Sequence, residues 1–302
     1  MVLLSGEPGV GKTRLLSELW PRGAWIRCAE GLEHLLYFPV LNALRARLPD
    51  LPELGAYAGD LARFLPEISA TPSIPETDDD SHRVRLFEAF GRALGVLQAA
   101  GNGGAVQTLV IDDLQWADPG TLEWLRFLAH RGARVQGAFR SSEVGDALKQ
   151  TLTALGTNLK VTPLRPLTKP EVAQLVSAAA PMRGAAGLAG ASGLFFDWLH
   201  RSSGGNPLFV LEWLRALQHG GHEGTQPSEH GPAELDIRQL DIRQLDALHL
   251  ETLRPPPALS ELALRRIAGL GAEDRRVLDV ASVLGSALRP ARLARVLELS
   301  EW

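Results

Sequence analysis

The chain has 302 residues, 45% of them hydrophobic and 22% charged, which suits a soluble globular protein with an ample core and room for two domains. A net charge of −4 excludes a global basic field for nucleic acid, and the single cysteine, Cys28, excludes an internal disulfide and suits the reducing cytoplasm. No apolar span of about 18 residues is present, which argues against membrane insertion, and the apolar run at the N-terminus is too short for a secretory leader.

The first predicted element is a strand over Val2–Ser5. It runs directly into Gly6-Glu7-Pro8-Gly9-Val10-Gly11-Lys12-Thr13, a G-x-x-x-x-G-K-T phosphate loop. The glycines let backbone N–H groups turn inward around phosphate oxygens. Lys12 would reach the β- and γ-phosphates, and the Thr13 hydroxyl would hold Mg²⁺. The next helix points its positive dipole end at the anion. Its predicted apolar face is Leu15, Leu16, Leu19 and Trp20, and Pro21 stops it. Lysine is scarce, with only Lys12, Lys149, Lys160 and Lys169 in the chain, so the motif is not a product of composition.

A second strand is predicted over Ala24–Cys28, where Cys28 reads as a buried structural thiol rather than a nucleophile. A long insert follows. It ends in a helix with Val84, Phe87, Phe90, Leu94 and Leu97 at helical spacing, after an acidic start at Asp78-Asp79-Asp80-Ser81. The third strand, Gln107–Asp112, delivers two carboxylates at its end. Asp112 would hold Mg²⁺, and Asp113 would act on the attacking water as general base. Asp118 reads as the N-cap of a helix beginning near Pro119, and Trp116 as an anchor of its loop to the core. The fourth strand, Arg134–Phe139, brings Arg140 to the edge where open α/β sheets bind ligands, placing it to sense the γ-phosphate or stabilise transition-state charge. The fifth is Leu159–Thr162. Alternating strands and helices imply a parallel sheet covered on both faces.

Beyond Pro166 the reading is helical: Thr168–Ala180, about Leu194–Ser202, and Pro207–Gln218. Gly204-Gly205-Asn206-Pro207 supplies a cap and a first-turn proline, with adenine packing as the functional alternative for Pro207. Residues 219–235 read as a Gly-, Pro- and His-rich linker without a zinc ligand set. A five-residue repeat, Asp236-Ile-Arg-Gln-Leu and Asp241-Ile-Arg-Gln-Leu, follows it. Helices are expected over Ser260–Leu270 and Ala272–Leu284. Segment 236–302 balances ten Arg against ten Asp or Glu, so it too lacks a basic field.

Asp112-Asp113-Leu114-Gln115-Trp116-Ala117-Asp118 resembles the ATPase module of the STAND class, the signal-transduction ATPases with numerous domains, and within it the large LuxR-type, MalT-like regulators. Gly6 through Leu16, including Arg14, resembles that family's phosphate loop. Ala138-Phe139-Arg140 with Glu143 resembles its sensor strand. Leu164–Thr168 resembles the entry to its helical lid, and Gly204 through Glu212 the lid motif whose proline contacts adenine. The resemblance implies a five-stranded P-loop NTPase core in which the Arg140 strand separates the P-loop strand from the double-Asp strand. It also implies an all-α lid and the start of a winged helix over Arg265–Gly285.

The implied domains are the core at 1–165, the lid at 166–218, a linker at 219–256 and an incomplete winged helix at 257–302. The implied activity is slow Mg²⁺-dependent hydrolysis of ATP to ADP, used as a regulatory switch in transcription. The implied partners are ATP, self-association and further regulatory domains, with no membrane and no direct nucleic-acid binding by this chain alone. The phosphate loop lies close to Met1 and the winged helix stops at Trp302, so a chain truncated at both ends is expected. A non-hydrolysing nucleotide-binding module and an origin-recognition-like AAA+ ATPase acting on DNA are the alternatives.

Overall fold

The computed structural model describes residues 1–68, 79–97, 106–179, 193–219, 253, 255–268, 270–284, 293 and 295–296. The chain divides into two compact units, Met1–Pro166 and Leu167–Trp302.

The first unit is built on five parallel strands: β1 (Val2–Gly6), β2 (Ala24–Arg27), β3 (Leu109–Asp112), β4 (Val135–Arg140) and β5 (Lys160–Pro163). Their order is β2-β3-β4-β1-β5. The Arg140 strand therefore does lie between the P-loop strand and the double-Asp strand. All five predicted strands form, each within about two residues of its expected ends.

Side-chain alternation explains the two covered faces. Leu3, Ile26, Leu109, Ile111, Val135 and Phe139 join one core. Leu4, Val110 and Ala138 join another, with Leu16 of helix α1 (Lys12–Leu19). The first core also takes Val40 and Leu44 of α2 (Phe38–Arg45), Leu61 of α3 (Ala58–Ala62), Phe87 and Phe90 of α4 (Asp79–Ala93), Trp124 of α5 (Pro119–His130) and Leu148 of α6 (Asp146–Leu155). All four residues of β3 are buried, as a strand covered on both faces requires, whereas the edge strand β5 is largely exposed. Gly137 in β4 has no room for a side chain. A Cβ there would lie 2.8 Å from Leu3 Cδ2, Ile111 Cγ2 and the Ile111 carbonyl oxygen.

Two apolar stripes are narrower than their spacing predicts. In α1 Leu16 is buried, but Leu19 is 55% exposed. In α4 Phe87 and Phe90 are buried, as is Leu94 just past its end, while Val84 is 50% exposed. Three-residue steps fall short of a full turn, so Val84 sits about 100° round the helix from the centre of the stripe. Leu97 lies beyond the helix and folds back over Gly91, its N–H donating to the Gly91 carbonyl at 3.0 Å.

The second unit contains α7 (Lys169–Ala179), α8 (Gly193–Ser203), α9 (Pro207–His219), α10 (Pro257–Ala268) and α11 (Ala272–Leu284). Thr168 and Glu171 form a capping box at the start of α7: Glu171 Oε2 accepts from the Thr168 N–H at 2.7 Å and from its hydroxyl at 2.8 Å. Val172, Phe195, Trp198, Val210 and Trp213 form the centre of this core. Leu259 is buried with them, so α10 begins against this helical core. The linker from residue 220, the five-residue repeat and the acidic Asp78 fall outside the described residues. No helix among the described residues is long and apolar enough to cross a membrane.

Candidate nucleotide and magnesium site

Strand register gathers the chemistry at one edge. Gly6 lies beside Arg140, and Asp112 ends the strand next to β4. This is the carboxyl edge of a parallel sheet, where loops leave the strands and helix N-termini begin.

The phosphate loop takes the backbone shape its glycines permit. Gly9 and Gly11 have φ of 82° and 102°, a region that L side chains rarely enter. Gly11 stands at the N-cap of α1, so the free N–H groups of the first turn open onto the loop. Glu7, Pro8, Gly9 and Val10 form the bend, closed by the Val10 N–H donating to the Glu7 carbonyl at 3.3 Å, with the Val10 side chain buried beneath. Lys12 is only 7% exposed, and its ammonium donates to the carbonyls of Gly6 at 2.8 Å and Glu7 at 3.0 Å. Burial, followed by the nearby Arg140 cation, pushes the Lys12 ammonium below the usual lysine range, against the pull of Asp113, Asp112 and Glu7. The Arg14 side chain instead pairs with Glu18 on the exposed face of α1, at 2.5 Å. What Arg14 offers an anion is therefore its backbone N–H.

Thr13 Oγ1 donates to Asp112 Oδ2 at 2.7 Å. Asp112 Oδ1 accepts from the Asp113 N–H at 3.0 Å. Burial raises the Asp112 carboxyl above the usual carboxylate range, with the Thr13 hydrogen bond opposing it and the Asp113 charge adding to it. A hydroxyl and a carboxylate, hard oxygen donors brought together at the phosphate loop, are the donor set that suits Mg²⁺.

Asp113 stands at the start of a single 3-10 turn, Leu114–Trp116, with φ of 54°. Its Oδ1 lies 3.5 Å from Arg140 Nε. The Arg140 guanidinium also donates from Nη1 to both carboxylate oxygens of Glu143, each at 3.1 Å. Burial would lower Arg140, but the hydrogen bond and charge of Glu143 and the charge of Asp113 outweigh it and hold the cation firmly protonated. The turn after β4 is tied to the phosphate loop as well, because Ser141 and Ser142 donate to the two Glu7 carboxylate oxygens at 3.1 and 3.4 Å.

Asp118 is the cap expected of it. Its Oδ1 accepts from the Thr121 N–H at 2.9 Å and from the Tyr37 N–H at 2.8 Å, and its Oδ2 from the Thr121 hydroxyl at 2.5 Å. Fully buried, it fastens the double-Asp turn to the chain leading into α2. Trp116 is partly buried against the main core. Cys28 is buried, and burial pushes its thiol far above the usual range, so it is no nucleophile. Pro207 belongs to the second unit, at the first position of α9, where Asn206 Oδ1 caps the Leu208 N–H at 3.0 Å.

Gln115 has no role in the sequence reading, yet it is buried between Asp113 and Arg140. The signal available was an amide two residues after the second carboxylate, too common a pairing to single out from sequence alone.

No curated protein shows significant sequence similarity to the chain. Among solved structures it is similar to the RuvB Holliday junction branch migration motor of Thermotoga maritima. The two are 16% identical over 99% of this chain and 74% of that one, with a TM-score of 0.40. A mutant of the same RuvB is similar at 16% identity, over 99% of this chain and 75% of that one, again with a TM-score of 0.40. The parallel sheet, phosphate loop and facing carboxylates make the first unit a P-loop NTPase fold, and residues 1–140, from β1 through the end of β4, match the AAA ATPase domain family.

Proposed function

We propose that the chain is an ATP-binding switch module that hydrolyses ATP slowly with Mg²⁺, of the STAND type found in LuxR-like, MalT-like transcriptional regulators. The observation that carries the nucleotide chemistry is the Thr13–Asp112 hydrogen bond, which joins the phosphate loop to the double-Asp strand. Gly6, Glu7, Pro8, Gly9, Val10, Gly11 and the first-turn amides through Arg14 surround the phosphates, and Lys12 turns from the loop carbonyls toward them. Thr13 and Asp112 hold the metal, which when bound neutralises phosphate charge. Asp113 accepts the proton of the attacking water. Arg140, already paired with Asp113 and Glu143, exchanges part of that pairing for the γ-phosphate and so reports its presence. The sequence Asp112 through Asp118 supports the STAND assignment.

The test is phosphate release with and without Mg²⁺, in wild type and Lys12→Ala. Metal-dependent release lost in the variant supports hydrolysis. Tightly bound nucleotide without release supports the non-hydrolysing module instead.

The match of residues 1–140 to the AAA ATPase domain family is equally compatible with a second reading, an origin-recognition-like AAA+ ATPase whose action on DNA is a separate proposal. DNA binding that weakens steeply with salt would select it over the regulatory switch.

A further inference from the structure

We infer that Gln115 positions Asp113 to take the proton of the water that attacks ATP, and couples it to the main chain of the Arg140 strand. The inference rests on the hydrolytic reading of the site. Gln115 lies in the turn Leu114–Trp116 and is 8% exposed. A buried primary amide must place both its donor and its acceptor. Here Nε2 donates to Asp113 Oδ1 at 2.9 Å, and Oε1 accepts from the Arg140 N–H at 3.0 Å. The two partners fix the amide's orientation, because a carboxylate only accepts and a backbone N–H only donates.

The same Asp113 Oδ1 faces Arg140 Nε at 3.5 Å. Gln115, Asp113 and Arg140 thus close a ring of contacts in which Oδ1 is engaged twice. That assigns the other carboxylate oxygen, Oδ2, to the water. The Asp113 backbone is in the left-handed region, which a non-glycine residue occupies only when its surroundings hold it there. Asp112 holds the Asp113 N–H, and Gln115 is the buried side chain that holds the Asp113 carboxylate. A shift of the Arg140 main chain on nucleotide exchange would reach Asp113 through this amide as well as through the Arg140 guanidinium.

Two variants separate positioning from packing. Gln115→Met keeps length and volume but removes both hydrogen bonds. Gln115→Glu keeps the acceptor for the Arg140 N–H and sets a second carboxylate against Asp113. Both are expected to lower kcat about tenfold or more, the worth of one charge-assisted hydrogen bond, with the Kd for ATP and Mg²⁺ within about twofold of wild type. As pH falls, the carboxyl introduced by Gln115→Glu takes up a proton and can donate to Asp113 as the amide did. Its activity relative to wild type should then recover, while that of Gln115→Met should not. The charged groups bearing on this position are Asp113 and Arg140, and those coupled to them are Asp112, Lys12, Glu7, Glu143 and Glu30.

Wild-type kcat in either variant, or one shared pH profile for both, would overturn the inference while leaving hydrolysis intact. If wild type itself releases no phosphate, the hydrolytic reading fails, and amide hydrogen exchange still tests the bridge. Gln115→Met should speed exchange of the Arg140 N–H, and unchanged exchange would overturn it. Should Gln115→Met not fold, Gln115→Glu across the same pH range carries the test.

Discussion

Thr13 Oγ1 donates to Asp112 Oδ2 at 2.7 Å, a hydrogen bond between residues ninety-nine positions apart that joins α1 to the end of β3. A threonine chosen by the phosphate loop and an aspartate chosen by a distant strand share one proton position. This contact sets the separation between the phosphate loop and the carboxylate pair.

Replacing Asp112 by Asn should keep the fold and weaken the metal site. Burial raises the Asp112 carboxyl, so the folded protein holds its proton more tightly than the unfolded chain. Stability then falls as pH rises from the ordinary carboxylate value through the folded one, and the penalty persists above it. Asp112→Asn escapes that penalty. Urea unfolding should show wild type and variant alike in acid and the variant more stable at neutral pH. Mg²⁺-dependent tightening of ATP binding should be lost.

Lys12→Met carries the same trade-off with opposite charge. The Lys12 ammonium is held below its usual range, burial being the main cause. The fold therefore disfavours its charged form at neutral pH, and stability rises as pH climbs from the folded value to the ordinary lysine value. The nucleotide-free variant should melt at or above the wild-type temperature at neutral pH, with the difference closing in alkali. ATP affinity should fall about 10- to 100-fold by calorimetry, the worth of a charge-assisted contact to phosphate.

Asp118→Ala removes a helix cap and strands the Tyr37 N–H. A lost cap together with one buried unsatisfied donor should cost about 2–4 kcal/mol in denaturant unfolding. Asp118→Asn keeps an acceptor oxygen and should lose less.

Gly137→Val tests the sheet beneath the site. Its Cβ would fall 2.8 Å from Leu3 and Ile111, both buried, one on the P-loop strand and one on the double-Asp strand. Overpacking there should destabilise the protein by about 1–3 kcal/mol or more. It should also lower ATP affinity by spreading β1 from β3.

The strands were legible because short apolar runs ending in chemical residues admit few alternatives: Val2–Gly6 into the phosphate loop, Leu109–Asp112 into the carboxylates, Val135–Arg140 into the arginine. The Asp118 cap was legible from Asp-Pro before an apolar helix. The exposed Val84 and Leu19 were not, because spacing marks a stripe but not its width. The pairings at the site were not legible either. Gln115 with Arg140, and Glu7 with Ser141 and Ser142, join segments whose meeting depends on strand order. That order, with β4 inserted between β1 and β3, entered through family resemblance rather than through any local pattern.

The most direct measurement is Mg²⁺-dependent ATP turnover by the full chain beside Asp113→Asn and Lys12→Ala, with ATP affinity measured on each protein. Slow turnover is expected in wild type and none in either variant. Asp113→Asn should still bind ATP with Mg²⁺ about as tightly as wild type, because Asp113 acts on the water and not on the phosphates. Equal turnover in all three proteins would contradict it.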